Sequence, residues 1–357
     1  NDQDFTFTNM NDTNLVFEIS DADGKEGAPP TTLNYTLNFA TSVNNGEDDA
    51  LTLVLNDVGF RNQSNLDAYG KLIPNNGIRV TTQSAGMPSY DIEHLTLIAR
   101  AGANQENFID LTGFYGSTAK TDGIQTLTIS GSGNLDNRAD QWLDANTSTP
   151  STPSPKFNNL SQVDASTALG NLNLDVTGAA SAPAMQSLKA GFGDDVIIAG
   201  ANIRSTTLLD GGDGKDLLRI TDVDDVSGAN SATLTPNMRG FETLDLVLTP
   251  VTGLPTTLTN LTLSAAKTEG LETLQISNAV GIDNDLTKVF NTTIRDLSGQ
   301  ALELKFLETI GSSYTGNDKY TVQDSGDLTI TTVTQNNNST GTFADNVTAI
   351  AAPKVMI

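Results

Sequence analysis

The sequence of 357 residues contains no cysteine and only one histidine, His94. Without cysteine there is no disulfide framework, thiolate nucleophile, iron–sulfur cluster or cysteine-ligated zinc site. A single histidine excludes multi-histidine metal sites, including the helix of H-E-x-x-H metalloproteases. Enzymes that work with carboxylates alone remain compatible with the sequence, as do binding and structural proteins.

Basic residues are also scarce: 19 Lys and Arg stand against 43 Asp and Glu, which gives a formal net charge of −24. This excess argues against nucleic acid as a partner, because phosphates require a basic surface. No apolar run approaches the roughly 18 residues of a membrane span, so none is predicted. The first residues show no basic region followed by an apolar run, and we expect a mature or excised piece of an exported protein.

Small uncharged polar residues are frequent instead. Only 37% of residues are hydrophobic and 17% are charged, whereas the chain has 48 Thr and 34 Asn. Threonine favours strands, and asparagine and glycine favour turns. The composition predicts an all-β protein.

One short cassette recurs along the chain: an apolar residue, then Glu or Gln, then Thr or His, then alternating apolar and polar residues. Strict alternation predicts strands with Leu and Ile on one face and Thr on the other. The clear copies are Ile92–Leu97, Ile124–Ile129, Phe241–Leu246 and Leu271–Ile276. Weaker copies are Ala50–Leu53, Asn260–Leu263, Phe306–Ile310 and Asp327–Ile330.

Recurrence of one strand unit at such intervals is typical of a stacked β-solenoid, in which each rung buries its apolar face against the next. We therefore predict a parallel β-solenoid or β-roll for the second half, with an antiparallel sandwich as the alternative. Spacing is looser in the first half, where a sandwich-like and a solenoid domain are both compatible with the pattern. The segment 146–157 holds three prolines within six residues, which predicts a Ser/Thr/Pro linker. The expected domains are residues 1–145 and 158–357.

Two Gly- and Asp-rich segments carry the strongest local signal. They are Ala190-Gly191-Phe192-Gly193-Asp194-Asp195-Val196-Ile197 and Gly211-Gly212-Asp213-Gly214-Lys215-Asp216-Leu217-Leu218. Both fit G-G-x-G-x-D-x-U-x, where U is a large aliphatic residue, with Ala190 in place of the first glycine. Glycine permits a turn with positive φ, and aspartate adds a hard anionic oxygen. Two Gly-Asp hairpin turns without metal are the alternative reading.

These segments resemble the nonapeptide repeats of RTX (hemolysin-type) calcium-binding β-rolls. In that family a turn recurs on one side every eighteen residues, and here Gly191 and Gly212 are 21 residues apart. The resemblance implies that the two turns stack and hold Ca²⁺ between them. The ligands it implies are the Asp195 and Asp216 carboxylates and the carbonyls of four glycines, with two further aspartates as neighbours: Gly191, Gly193, Gly212, Gly214, Asp194 and Asp213.

The combination of Thr- and Asn-rich strands, repeated cassettes and nonapeptides resembles bacterial surface-layer (S-layer) proteins of the Caulobacter type, which combine such strands with RTX repeats. Gly240-Phe241-Glu242-Thr243-Leu244 and Gly270-Leu271-Glu272-Thr273-Leu274 carry this resemblance. It implies a secreted structural protein that assembles with itself into a calcium-dependent lattice on a bacterial cell surface. It also implies a cell-surface polysaccharide or lipopolysaccharide as a further partner, contacted through a part outside this sequence.

Two other functions are compatible with the same features. Large RTX adhesins of biofilm matrices also have Thr- and Asn-rich strands and the nonapeptides. Parallel β-helices also house calcium-dependent polysaccharide lyases, which use carboxylates with an Arg or Lys base. Because no cassette joins acids and bases on one face, we expect a protein that is not an enzyme.

Overall fold

The computed structural model describes strands and turns in twenty segments of the chain. These are residues 4–10, 15–22, 33–39, 49–66, 72–76, 78–84, 92–102, 106–114, 123–137, 157–178, 184–200, 202–220, 231–248, 260–278, 291–298, 301–309, 319–323, 327–335, 346–350 and 355–356. The strands, numbered in chain order, divide between two compact units. Unit 1 comprises residues 1–197 with 212–214, and unit 2 comprises 198–211 with 215–357.

Unit 1 is built from two parallel ladders, and successive strands alternate between them. The first ladder contains β1 (Phe5–Met10), β3 (Leu33–Phe39), β7 (Ile78–Ser84), β9 (Glu106–Gly113), β11 (Asn134–Asp136) and β13 (Leu172–Asp175). The second contains β2 (Val16–Ala22), β4 (Ala50–Val58), β8 (His94–Arg100), β10 (Thr126–Gly131), β12 (Gln162–Ala168) and β14 (Ser187–Lys189). The hairpin of β5 (Phe60–Leu66) and β6 (Leu72–Asn76) is antiparallel. The first half is thus a parallel solenoid of the roll type, and not the sandwich that was its alternative.

Unit 2 continues the parallel pattern with three ladders. One contains β16 (Leu208–Asp210), β19 (Asn237–Arg239) and β22 (Thr268–Glu269). A second contains β17 (Leu217–Ile220), β20 (Thr243–Leu248), β23 (Thr273–Asn278), β25 (Leu302–Thr309), β27 (Leu328–Gln335) and β29 (Val355–Met356). The third contains β18 (Ser231–Leu234), β21 (Asn260–Ser264), β24 (Asn291–Arg295), β26 (Lys319–Gln323) and β28 (Asn346–Ile350). Strand β15 (Val196–Ala199) includes the position at which the two units divide.

The apolar positions of the cassette form the core, as the alternation predicts. Leu95 and Leu97 of β8 lie opposite Leu127 and Ile129 of β10, and all four are fully or almost fully buried. In unit 2 the same positions stack Leu244 and Leu246 on Leu274 and Ile276. A parallel solenoid places like residues above one another, so the repeated Leu and Ile form a continuous apolar column.

One of the weaker cassette copies was predicted in the wrong register. The β23–β25 pairing places Phe306 opposite Ile276, which is the last residue of its cassette and not the first. The segment equivalent to 271–276 is therefore 301–306, which has Ala and Leu where the clear copies have an apolar residue followed by Glu or Gln. Pattern matching failed here because the polar signature of the cassette is absent.

The predicted linker, residues 146–157, lies outside the described residues except for its last residue, Phe157. Strands β10 and β12 stand on either side of that segment in the sequence and pair in parallel within unit 1. The two compact units divide between Ile197 and Ile198. The linker and this division therefore fall at different places in the chain.

Candidate functional site: a stack of glycine turns

The first nonapeptide turn of unit 1 stacks directly against the second. The backbone amide of Asp213 donates to the carbonyl oxygen of Gly191 across 3.1 Å. A Cβ atom added at Gly212 would clash with that same carbonyl, and one added at Gly214 would clash with the carbonyl of Gly193. Gly212 and Gly214 adopt φ values of 91° and 132°, a region that L side chains rarely enter. The structure therefore brings together five of the predicted site residues, and glycine is required by space as well as by conformation.

The same stack extends to earlier turns that the sequence reading did not include. A Cβ at Gly191 would lie 2.5 Å from the carbonyl oxygen of Ala168, and one at Gly170 would clash with the carbonyl of Gly133. The amide of Phe192 donates to the carbonyl of Ala168 across 3.0 Å. The two nonapeptides thus belong to a longer column of turns within unit 1.

An asparagine ladder runs along this column. The Oδ1 of Asn134 accepts the amide N–H of Asn171 at 2.8 Å, and the Oδ1 of Asn171 accepts the amide N–H of Asp194 at 3.0 Å. Each side chain thereby satisfies a turn amide of the next rung. The sequence carried the signal, since each of these residues follows a glycine: Gly133, Gly170 and Gly193.

Asp195 is fully buried and its carboxylate binds backbone amides on two rungs. One oxygen accepts the N–H of Leu172 at 2.7 Å, and the other accepts the N–H of Gly191 at 2.9 Å. Burial, with a smaller contribution from the nearby charge of Asp194, raises the pKa of Asp195 to about 6, while the two hydrogen bonds act in the opposite direction. Asp195 fixes the turn to the preceding rung whether or not it also contacts a cation.

Asp216 lies in unit 2 and is also buried. Its amide donates to the Oε2 of Glu242 at 2.7 Å, and its carbonyl accepts the N–H of Thr243 at 3.0 Å. A Cβ at Gly211 would lie 2.9 Å from the Asp216 Oδ2, so the carboxylate packs against that glycine. In contrast to these two buried aspartates, Asp194 and Asp213 are exposed.

The oxygen atoms of this stack are chemically suited to a hard cation such as Ca²⁺, which takes carboxylate and carbonyl ligands. The Gly191 carbonyl and both Asp195 oxygens already accept N–H groups, but each such oxygen has a second lone pair. Within the described segments, no group of three or more His, Asp or Glu side chains is placed to hold a metal ion. A calcium site here would therefore depend on backbone carbonyls together with one or two carboxylates.

Comparison with family models, with curated proteins and with solved structures gave no match for this chain. Among the described residues, no helix is long and apolar enough to cross a membrane.

Proposed function

We propose that this chain is a non-enzymatic, calcium-binding structural protein of a bacterial cell surface, which assembles with itself into an S-layer lattice. The observation that carries the proposal is the direct stacking of the turn at Gly191 on the turn at Gly212. Stacked turns of this composition align carbonyl and carboxylate oxygens along one edge of the solenoid, as a calcium-binding roll requires.

Calcium would be held at this edge of unit 1 by oxygens of four glycines with the aspartates of the same unit: Gly191, Gly193, Gly212, Gly214, Asp194, Asp195 and Asp213. Asp194 and Asp213 are the carboxylates that solvent ions reach, whereas Asp195 is buried. A bound dication favours the charged form of Asp195, so it offsets the desolvation that raises its pKa.

Net charge gives a reason for assembly to depend on calcium. Copies that each carry about −24 repel one another on close approach, and bound dications reduce that charge. Extracellular calcium sites bind at about 10⁻⁴–10⁻³ M, so such sites fill only after export. At ten times its dissociation constant, each site adds about 1.4 kcal/mol to the free energy of unfolding.

The lattice is tested by electron microscopy of the purified chain with millimolar calcium and with chelator. Ordered sheets that form with calcium and dissolve with chelator are expected. Single particles in both conditions would reject the lattice and favour a module of a large RTX adhesin, which needs no contact between copies.

The calcium site is tested separately by titration calorimetry of the double variant Asp194→Asn/Asp213→Asn. Loss of at least one bound calcium is expected, because both exposed carboxylates of the turn stack become neutral amides. The matched control is Asp164→Asn, which removes a charge from β12 outside the turns. Equal calcium content in wild type and the double variant would place the metal elsewhere.

A further inference from the structure

An earlier turn of unit 1 contains a fully buried side-chain amide whose oxygen is unsatisfied. Asn107, on β9, is 0% exposed, and its Nδ2 donates to the carbonyls of Arg100 and Asn134 at 3.0 and 3.1 Å. Its Oδ1 is buried and accepts no hydrogen bond from any described residue. A buried acceptor without a partner is costly, so this atom indicates a bound water molecule or a bound ion beside it.

The orientation of the Asn107 amide is fixed by its two donated hydrogen bonds. Exchanging Nδ2 and Oδ1 would place an acceptor against two carbonyl oxygens. Because Nδ2 reaches the carbonyl of Asn134 on the following rung, the Oδ1 on the other side of the amide faces the preceding rung. On that rung Asn107 is paired with Val58, the last residue of β4. The unsatisfied oxygen therefore faces the end of β4.

Two further side chains with oxygen atoms converge on the same place. A Cβ added at Gly102 would lie 3.0 Å from the Asp57 Cγ and 3.2 Å from the Asn56 Oδ1. Glycine at this position thus leaves room for both side chains. The Gly102 amide donates to the Arg100 carbonyl at 3.2 Å, and this is the same oxygen that Asn107 contacts. The side chains of Asn56, Asp57 and Asn107 therefore lie around one short turn.

The charge of this turn suits a cation. Asp57 is only 8% exposed. Glu106, which precedes Asn107 in the sequence, adds a second half-buried carboxylate. Arg100, the basic residue of the turn, pairs with Glu18 at 2.7 Å on the surface, where the two side chains are 52% and 46% exposed. Buried oxygen atoms with a negative charge beside them favour a hard cation over an anion or an apolar ligand.

We propose that a calcium ion binds between the end of β4 and the turn at Gly102. The Asp57 carboxylate and the Oδ1 atoms of Asn56 and Asn107 hold it. Ca²⁺ takes about six to eight oxygen ligands, so backbone carbonyls and water complete the shell. None of these three residues belongs to a G-G-x-G-x-D motif, so the site is separate from the stack of Gly191 and Gly212.

The ion links two strands whose backbone pairing is sparse. Among the described residues, β4 and β9 pair at one position, Val58 with Asn107. A cation bound to Asp57 and Asn107 adds a second connection at this point of the solenoid. The inference shares with the proposed function only the identity of the ion, and neither site requires the other.

The first experiment counts bound calcium by titration calorimetry of the full chain in wild type, Asp57→Asn and Asp296→Asn. Asp57→Asn is expected to bind one calcium ion fewer than wild type, because the carboxylate of the site becomes a neutral amide. Circular dichroism spectra that coincide for the three proteins verify the fold. Equal calcium counts in wild type and Asp57→Asn would overturn the inference and leave a water molecule beside Asn107.

Asp296→Asn is the matched control in this experiment. Asp57 and Asp296 adopt φ values of 58° and 64°, so each change removes one charge from a left-handed residue, a conformation that asparagine also tolerates. The control is expected to bind as many calcium ions as wild type. An equal loss in both variants would mean that net charge, and not this turn, sets the count, which contradicts the site.

The second measurement holds even if Asp57→Asn does not fold. It follows the carbon-13 chemical shift of the Asn107 side-chain carbonyl in wild type while calcium is added. A shift that saturates with calcium is expected, since Oδ1 becomes a ligand. A resonance that does not move would overturn the inference, whatever the calcium count of the variant.

The outcomes separate this site from the turn stack. Loss of one calcium ion in Asp57→Asn, with an unchanged count in Asp194→Asn/Asp213→Asn, supports this site and contradicts the turn-stack site. The opposite pattern supports the turn stack and overturns this site. Wild type that binds no calcium overturns both.

Discussion

The carboxylate of Glu93 accepts a hydrogen bond from the backbone amide of Asp49, one rung earlier in unit 1, at 2.9 Å. The contact is reciprocal, since the Glu93 amide donates to the Asp49 carbonyl at 3.0 Å. In unit 2, Glu242 binds the amide of Asp216 in the same way. In these two cassettes, one in each unit, the acidic side chain thus ties a turn to the rung before it.

Replacing Glu93 by alanine is expected to lower the free energy of unfolding by about 1.5–3 kcal/mol, because a buried amide loses a charged acceptor. Glu93→Gln retains a carbonyl acceptor and is expected to lose about half as much. The measurement is urea denaturation followed by circular dichroism. Glu272→Ala is the control, since Glu272 holds the same cassette position but its side chain is exposed. If the free energy of unfolding falls equally in Glu93→Ala and Glu272→Ala, the hydrogen bond of the Glu93 carboxylate does not stabilise the fold.

The parallel solenoid was predictable from sequence because it depends on a repeated physical pattern. Leu244, Leu246, Leu274 and Ile276 alternate with polar residues, and this alternation alone placed them in the core. Register was harder to predict: the cassette copy beginning at Phe306 was misaligned because the equivalent segment, 301–306, lacks the polar signature of the cassette. The alternative of a sandwich for the first half was removed only by the parallel pairing of its strands.

The residues of the turn stack could be predicted from the sequence, but several of the contacts between them could not. The resemblance to RTX repeats, together with the 21-residue spacing, implied that Gly191 and Gly212 lie on one side, and the backbone contact between the two turns agrees with it. The resemblance implied Asp195 as a metal ligand, and one of its two amide contacts is with Leu172, a residue in another rung that no local motif reveals. The ladder through Asn171 was missed because isolated Gly-Asn pairs are common in turns of every kind.

Glycine in the turn stack is expected to be irreplaceable for reasons of space. Gly212→Ala places a Cβ against the Gly191 carbonyl and forces an alanine to a φ of 91°. Gly270→Ala is the matched control, because its φ is 85° but the nearest atom to the new Cβ is 3.9 Å away. The free energy of unfolding is expected to fall by about 1 kcal/mol in the control, because of the backbone conformation alone. In Gly212→Ala it is expected to fall by at least about 2 kcal/mol more. Thermal unfolding measures both, and similar losses would show that the close approach is unimportant.

The raised pKa of Asp195 makes unit 1 more stable as the pH falls, provided that calcium is absent. Its pKa of about 6 exceeds the 3.8 of an unfolded aspartate, so between these values the folded state binds more protons. Stability from this group is therefore full below about pH 4 and is lost as the pH rises through 6, by roughly 3 kcal/mol in total.

The measurement is the carbon-13 chemical shift of the Asp195 carboxyl during a pH titration in chelator. The resonance is identified by its loss in Asp195→Asn. A midpoint near 6 is expected with chelator, and a lower midpoint is expected when calcium is added. A midpoint near 4 in chelator would show that the two amide hydrogen bonds fully offset the effect of burial on the pKa.

A buried ion pair joins two strands of unit 2. The Nε of Arg219 on β17 lies 2.8 Å from the Oδ2 of Asp245 on β20, and their side chains are 11% and 0% exposed. Asp245→Ala is expected to lower the free energy of unfolding by about 3–5 kcal/mol, since it leaves the guanidinium buried without its carboxylate. Asp210→Ala, which breaks the pair of Asp210 with the largely exposed Arg239, is the control and is expected to cause no measurable change. Chemical denaturation measures the free energy of unfolding of both variants. If the two variants unfold at the same denaturant concentration, burial does not distinguish the two pairs.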